Sequence, residues 1–593
     1  MNNKLVKKYL VLMMIMALVL IATSCAQDTD TADLALINGS IYTMICTNDE
    51  VSTAEALVIK DGKIMAVGSN EDVEHFIGTD TEVIDLEGKM VLPGMIESHL
   101  HPPGSAFAEL YCINLHGVLN EQDTMETIRQ FIADNPDLDA YYGEGFSIGA
   151  FKDQEAALGP KKERLDQICP DKLVIIESLD GHISWVNSKA LDAAGITRDT
   201  PDPPGGVIEK DPATGELWGT LKEAAKQSLP PQEFTFEQKM EALIAFQDFM
   251  HSLGYTGIFS AGMDQDFYEV FKALEESGEL KLWVRASGGI DIRKEETLEQ
   301  QVEQLIQLRD TYNSELFKVA TAKIFVDGVI EGVTGYLLEP YSAEAGKGDN
   351  FYGLFYWDME DLKKAVKMLN GEDFQVHVHA IGDAAVKNTL DAFEYARQET
   401  PGDFRNAITH LQLVALEDFA RFKDLEVVAS VQPYWHFKEP DWFEVVDYPF
   451  LGERAEYEYP LGSFFNAGVV VASSSDHSVT PYPNPLWAIE IGATRNLVDG
   501  ESYDVEDITD MDDPTWLLNK NERASLMDMI KSFTINGAYM LFLDELTGTI
   551  EEGKYADLVI LEQDLFQIDP LRIDSVQILK TIFQGLVVYE AES

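Results

Sequence analysis

His99 and His101 stand two residues apart in IESHLH, at the end of an apolar run, in a chain with only 11 histidines among 593 residues. In an extended strand the side chains at i and i+2 share a face, so both imidazoles reach toward one point. Imidazole is a common ligand for zinc and similar divalent ions. The spacing recurs at His377 and His379 in FQVHVH, and His410 closes the run NAITH. Asp476 follows VVVASSS, and Lys323 lies near the end of VATAKIF, close to Asp327 and Gly328. Brought together, these groups would hold divalent cations and set a carboxylate beside them.

Something must carry these side chains to one place. Candidate strands fall at 95–99, 256–260, 282–287, 319–325, 374–379, 406–410, 427–432 and 469–475, and each functional residue lies at or just beyond the end of one. Between several of them run amphipathic stretches such as Leu362 to Leu369 and Ala384 to Arg397. Eight strands with intervening helices predict an α/β fold, a TIM-like (β/α)8 barrel over 93–542, whose strand carboxyl ends share one mouth. LVIIES, 173–178, is also strand-like and is placed in an insertion of about 116–250 after the first barrel strand. Residues 32–92 alternate short apolar runs with the turn signals Asn38-Gly39, Asp61-Gly62 and Glu87-Gly88. That is strand and hairpin grammar. Residues 543–593 repeat it, so the two chain ends are expected to pair as one small β domain.

The first residues read differently. Lys4, Lys7 and Lys8 precede an apolar run from Leu10 to Ala22, too short to cross a bilayer comfortably, and small residues lead to Cys25. The pattern predicts an export signal over 1–24. IATSC resembles a bacterial lipobox, in which the cysteine is acylated, with Ala22 where leucine is usual. The expected location is outside the cytoplasm, anchored to a bacterial membrane by lipid alone. The remaining cysteines, Cys46, Cys112 and Cys169, are too few and too widely spaced for a disulfide framework. With 44 basic and 103 acidic residues the formal net charge is −59. Such a field repels phosphate backbones, so nucleic acid is excluded as a partner, and it favours divalent cations in a cleft.

Taken in order, VLPGMIESHLH, DGHISWVNSKAL, AKIFVDGVIEG, VHAIGDAAV, ITHLQLV, SSDHSV and GTIEEGKYADLVIL run through nearly the whole chain. This set resembles the amidohydrolase superfamily, and within it the YtcJ-like group of amidohydrolase family 3. The resemblance implies a metal-dependent barrel with a β-sandwich made from both chain ends. It implies that His99 and His101 bind the more buried metal, His379 and His410 the second, and Lys323 both, as a carboxylated lysine. Asp476 would be catalytic acid/base and ligand. His379 is preferred to His377 because it adjoins AIGD; His377 is left as a core neighbour or a group behind the ligands. His182 would contact substrate or transition state, while Trp185 packs. Tyr434, Trp435 and His436 either line the pocket or cover the mouth. The sequence departs from the family at Glu97, where aspartate is usual, and at His477-Ser478, in a stretch where proline is usual.

The function expected is hydrolysis of a non-peptide C–N bond in a small amide-like molecule, an N-acyl or N-formyl amine or a cyclic amide. One or two divalent ions would serve, zinc first among them. The same site would suit ester hydrolysis, isomerisation or decarboxylation. A surface lipoprotein that binds metal or ligand without turnover is a third reading, and Asp476 beside the ligands speaks against it.

Overall fold

In the computed structural model, residues 31–592 are described, apart from 48–49, 117, 119, 179–180, 204–205, 264, 441 and 504. The expected export signal and Cys25 therefore lie outside the described residues. Eight strands form one parallel sheet in sequence order: β1 (Met95–Leu100), β2 (Tyr255–Ser260), β3 (Trp283–Gly289), β4 (Phe317–Phe325), β5 (Gln375–Ala380), β6 (Ala407–His410), β7 (Val428–Val431) and β8 (Val471–Ser473). Most of their residues are buried, as expected for parallel strands covered on both faces. The sheet curls into a nearly closed barrel. Across the remaining seam the Ser98 hydroxyl donates to the Ser473 carbonyl at 2.8 Å. Beyond the strand ends Asp476 N–H donates to His99 O at 2.9 Å and His101 N–H to His477 O at 2.8 Å.

β8 is shorter than the run 469–475 predicts. Ser474 N–H still bonds to the Val431 carbonyl of β7, whereas Ser475 N–H turns across the seam to the Glu97 carboxyl. Helices follow the strands as the amphipathic stretches require. Leu298–Thr311 begins with a Thr297/Gln300 capping box. Met359–Gly371 buries Leu362, Ala365, Val366 and Leu369, the i, i+3, i+4, i+7 stripe of a helix with one face on the barrel.

The chain ends meet in two sheets. One has four strands from the N-terminal segment; the other has six and mixes both ends, with Met90–Pro93 antiparallel to Leu558–Leu561. Leu34, Leu57, Ile59, Val91, Leu558 and Ile582 share one apolar core between them. Asp61 and Gly62 both have positive φ in the two-residue turn between Lys60 and Lys63. Positive φ at both central positions is what a tight hairpin turn needs.

A second compact unit comprises Pro102–Phe246 with Glu269–Leu274. It begins earlier than the expected insertion boundary near residue 116, because Ile113–Asn114 forms the edge of its own six-stranded sheet. LVIIES is the strand Leu173–Ser178 of that sheet. Trp185 is fully buried against Phe146 and Phe151 and donates its indole N–H to Lys161 O at 3.0 Å. Cys46, Cys112 and Cys169 are free thiols. Among the described residues no helix is long and apolar enough to cross a membrane.

Candidate metal centre

Strand alternation does what the His-x-His spacing requires. His99 lies inside β1 and is buried; His101, one residue past its end, is 41 % exposed in its side chain. Both imidazoles turn toward Asp476. Oδ1 of Asp476 lies 3.5 Å from His99 Nε2 and 3.2 Å from His101 Nε2, and its Oδ2 lies 4.0 Å from His410 Nδ1. Ligand atoms of His99, His410 and Asp476 all fall within 4.8 Å of one another. Lys323 enters from β4, its Nζ 3.3 Å from His99 Nε2. The His379 ring is 4.6 Å from the His410 ring, centroid to centroid, while its Nε2 donates to Gly328 O at 3.1 Å.

Five groups thus surround one locus, and His379 stands at its edge with one ring nitrogen already engaged. His182 belongs to the second unit, where it is exposed and lies 3.0 Å from the Glu223 carboxylate.

The donor set fits a cation. Asp476 Oδ1 is buried and accepts no hydrogen bond. A bare buried carboxylate oxygen is costly unless a charge or donor meets it. Burial drives the His99 and His410 imidazoles well below their ordinary range and His379 down to about 3, so all three are neutral, the form that ligates metals. Burial also pushes the Lys323 amine down to about 7.

His410 (φ 76°) and Asp476 (φ 58°) both adopt left-handed backbone, which costs of order 1–3 kcal/mol each and persists only where surroundings enforce it. Asp476 is pinned through its N–H on His99 O, and Leu411, also at positive φ, donates to Ala380 O.

Other side chains hold the ligands in place. The His410 Nδ1 nitrogen meets Gln432 Oε1 at 3.0 Å, and Gln432 is anchored on Ser474 Oγ at 2.8 Å. Asp327, fully buried, accepts N–H bonds from Tyr336, Ile381 and Gly382 and so ties the loop after β4 to the end of β5. Trp435 stacks near His410 with ring centroids 5.9 Å apart and donates to Thr480 Oγ1, whereas Tyr434 and His436 are buried beneath the surface. His477 Nδ1 donates to Thr480 O at 2.9 Å, which holds the turn after Asp476 without a proline.

Glu97 joins the two sides of the seam. Its carboxyl accepts the His99 N–H at 3.0 Å and the Ser475 N–H at 3.0 and 3.1 Å. Burial pushes this carboxyl up to about 8, and the N–H donors pull against that rise. Glu97→Ala should leave two buried N–H groups unmatched at about 1–3 kcal/mol each. Thermal unfolding should show a loss of several degrees or more, and Glu97→Gln, which keeps an acceptor oxygen, should recover much of it.

The family model of the amidohydrolase family matches residues 82–589. The putative amidohydrolase YtcJ of Bacillus subtilis is 30 % identical over 568 residues, 93 % of this chain and 98 % of that protein. The N-substituted formamide deformylase of Arthrobacter pascens is 25 % identical over 578 residues, 95 % and 99 % of the two chains. An uncharacterized metal-dependent hydrolase of Pyrococcus horikoshii shares the fold, with TM-score 0.68 at 24 % identity over 91 % of this chain and 99 % of that one. The barrel fold is thus shared with that structure. The chain belongs to the amidohydrolase family.

Proposed function

We propose that this protein hydrolyses a C–N bond other than a peptide bond in a small molecule, an N-acyl or N-formyl amine or a cyclic amide. The observation that carries the reading is the buried, unpartnered Oδ1 of Asp476 facing the imidazoles of His99 and His101. The similarity to a formamide deformylase supports the bond class.

His99, His101, His379, His410 and Asp476 would hold one or two divalent ions, zinc in our reading. A bound divalent ion supplies Lewis acidity for a carbonyl and lowers the pKa of water toward neutrality. Asp476 then performs the proton transfers. Its carboxylate accepts a proton from the attacking water and returns it to the departing nitrogen, which leaves as a neutral amine. The Asp476 carboxylate already faces the imidazoles, its Oδ1 3.2 Å from His101 Nε2 and 3.5 Å from His99 Nε2. Lys323 is buried and its amine is held near neutrality. A neutral amine is the form that adds carbon dioxide: the N–C bond forms, one N–H proton leaves, and an anionic carbamate results. That carbamate would hold two cations where an ammonium would repel them. His182 would contact the substrate. Export and lipid anchoring through Cys25 to a bacterial membrane, on its periplasmic or cell-surface side, complete the proposal.

The test is product analysis. Purified protein loaded with zinc is incubated with matched N-formyl amines, N-acyl amines, cyclic amides and esters. Release of amine and acid from one of the amide series is expected. Turnover confined to esters, or an isomerised or decarboxylated product, would replace this reading.

A further inference from the structure

His377 is fully buried in the barrel, and the sequence leaves it as a core neighbour or a group behind the ligands. It sits in β5 opposite Lys323 in β4 and faces the same interior as His99. Its Nε2 lies 2.8 Å from His99 Nδ1, and the two rings are 4.9 Å apart. The Phe259 ring packs against both. His99 Nε2, on the other side of that ring, faces Asp476 Oδ1 and Lys323 Nζ. His377 Nδ1 is buried and has no hydrogen-bond partner.

We propose that His377 is a positioning residue that decides which nitrogen of His99 is bare toward the metal locus. The inference rests on the reading that His99 ligates through Nε2. Two neutral imidazoles that share one hydrogen bond have two proton arrangements. In one, His377 Nε2–H donates to His99 Nδ1, His99 keeps its proton on Nε2, and that N–H points to the Asp476 carboxylate. His99 cannot then ligate through Nε2. In the other, His99 Nδ1–H donates to His377 Nε2, His99 Nε2 is bare, and His377 carries its proton on the unpartnered Nδ1. Each ring holds one proton in both arrangements, so the exchange moves protons within the pair and changes no charge.

The partner behind a ligating histidine is commonly a carboxylate, a carbonyl or water, any of which accepts the Nδ1 proton without a counter-demand. Here the acceptor is another imidazole, whose own proton must then sit on an unmatched nitrogen. His377 therefore orients the ring and makes metal capture a change of tautomer across two side chains. Loss of an outer partner of this kind typically weakens metal binding by about 10–100-fold.

The experiment measures zinc affinity of the full-length protein, stripped and reloaded, by competition with a chromophoric chelator. His377→Leu removes the acceptor and is expected to weaken zinc binding by about 10–100-fold. His377→Gln sets an amide oxygen near the place of Nε2 and is expected to retain most of the affinity. His377→Asn, whose oxygen falls short of His99, is expected to behave like the leucine variant and gives the same contrast should leucine prevent folding. Circular dichroism of the stripped proteins confirms that folded species are compared. Equal affinity in the glutamine and asparagine variants overturns the proposal. His99→Ala separates the two layers: undiminished zinc binding there overturns the metal reading itself, whereas loss there together with equal His377 variants overturns only the role of His377.

Discussion

Asp476→Asn should lower kcat by about 10²–10⁴-fold, the range general acid–base groups contribute, while the protein stays folded and keeps at least part of its metal. The substitution preserves side-chain shape. The backbone anchor to His99 O does not depend on the side chain and should persist. What disappears is the negative charge and the lone pair that takes a proton, and an amide cannot replace either. The imidazoles of His99, His101 and His410 remain to hold a cation. Metal analysis and steady-state kinetics on the same preparation separate the two functions of the carboxylate. Unchanged turnover in the variant would remove Asp476 from the chemistry and with it the mechanism above.

The second large effect is expected at Lys323. Lys323→Met is close in size and length but has no amine, so it can form no carbamate. Loss of a bridging anion should reduce the metal content of the loaded protein and lower kcat by about 10³-fold, in keeping with the several kcal/mol that metal-based charge stabilisation supplies. Stability gives an independent readout. The Lys323 amine is buried, with the His99 Nε2 nitrogen 3.3 Å away, and burial disfavours its charged form. Without metal, the methionine variant should therefore unfold at a higher temperature than the stripped parent, because a desolvated amine that meets only the His99 imidazole at 3.3 Å is replaced by an apolar group. Full metal content and full activity in this variant would leave Lys323 as an ordinary buried amine and remove the two-cation arrangement.

The strong negative charge acts on both experiments. A chain with net charge −59 concentrates divalent cations around itself and repels anionic substrates, so apparent metal affinities will fall as ionic strength rises.

Much of this was legible without coordinates. Alternation in a strand is a local rule, so His99 and His101 had to share a face, and so did His377 and His379. Strand ends in a parallel barrel open onto one mouth, so residues at the ends of eight apolar runs converge there whatever their separation along the chain. Local pattern thereby pointed to the barrel and to a set of histidines, Lys323 and Asp476 at its mouth, while their roles as ligands and proton carrier came from the family resemblance. It did not determine how the ligands are held. Glu97 meets Ser475 across 378 positions of sequence, and His99 meets His377 across 278. Such pairs depend on strand register and on how the ends of the sheet come round to one another, quantities that no short window of residues contains. The left-handed backbone at His410 and Asp476 was equally hidden, since neither is glycine and only the surrounding hydrogen bonds enforce it. Local pattern gathered the candidate ligands, and closure of the barrel chose their neighbours, because a contact hundreds of residues apart exists only once the whole sheet has set its register.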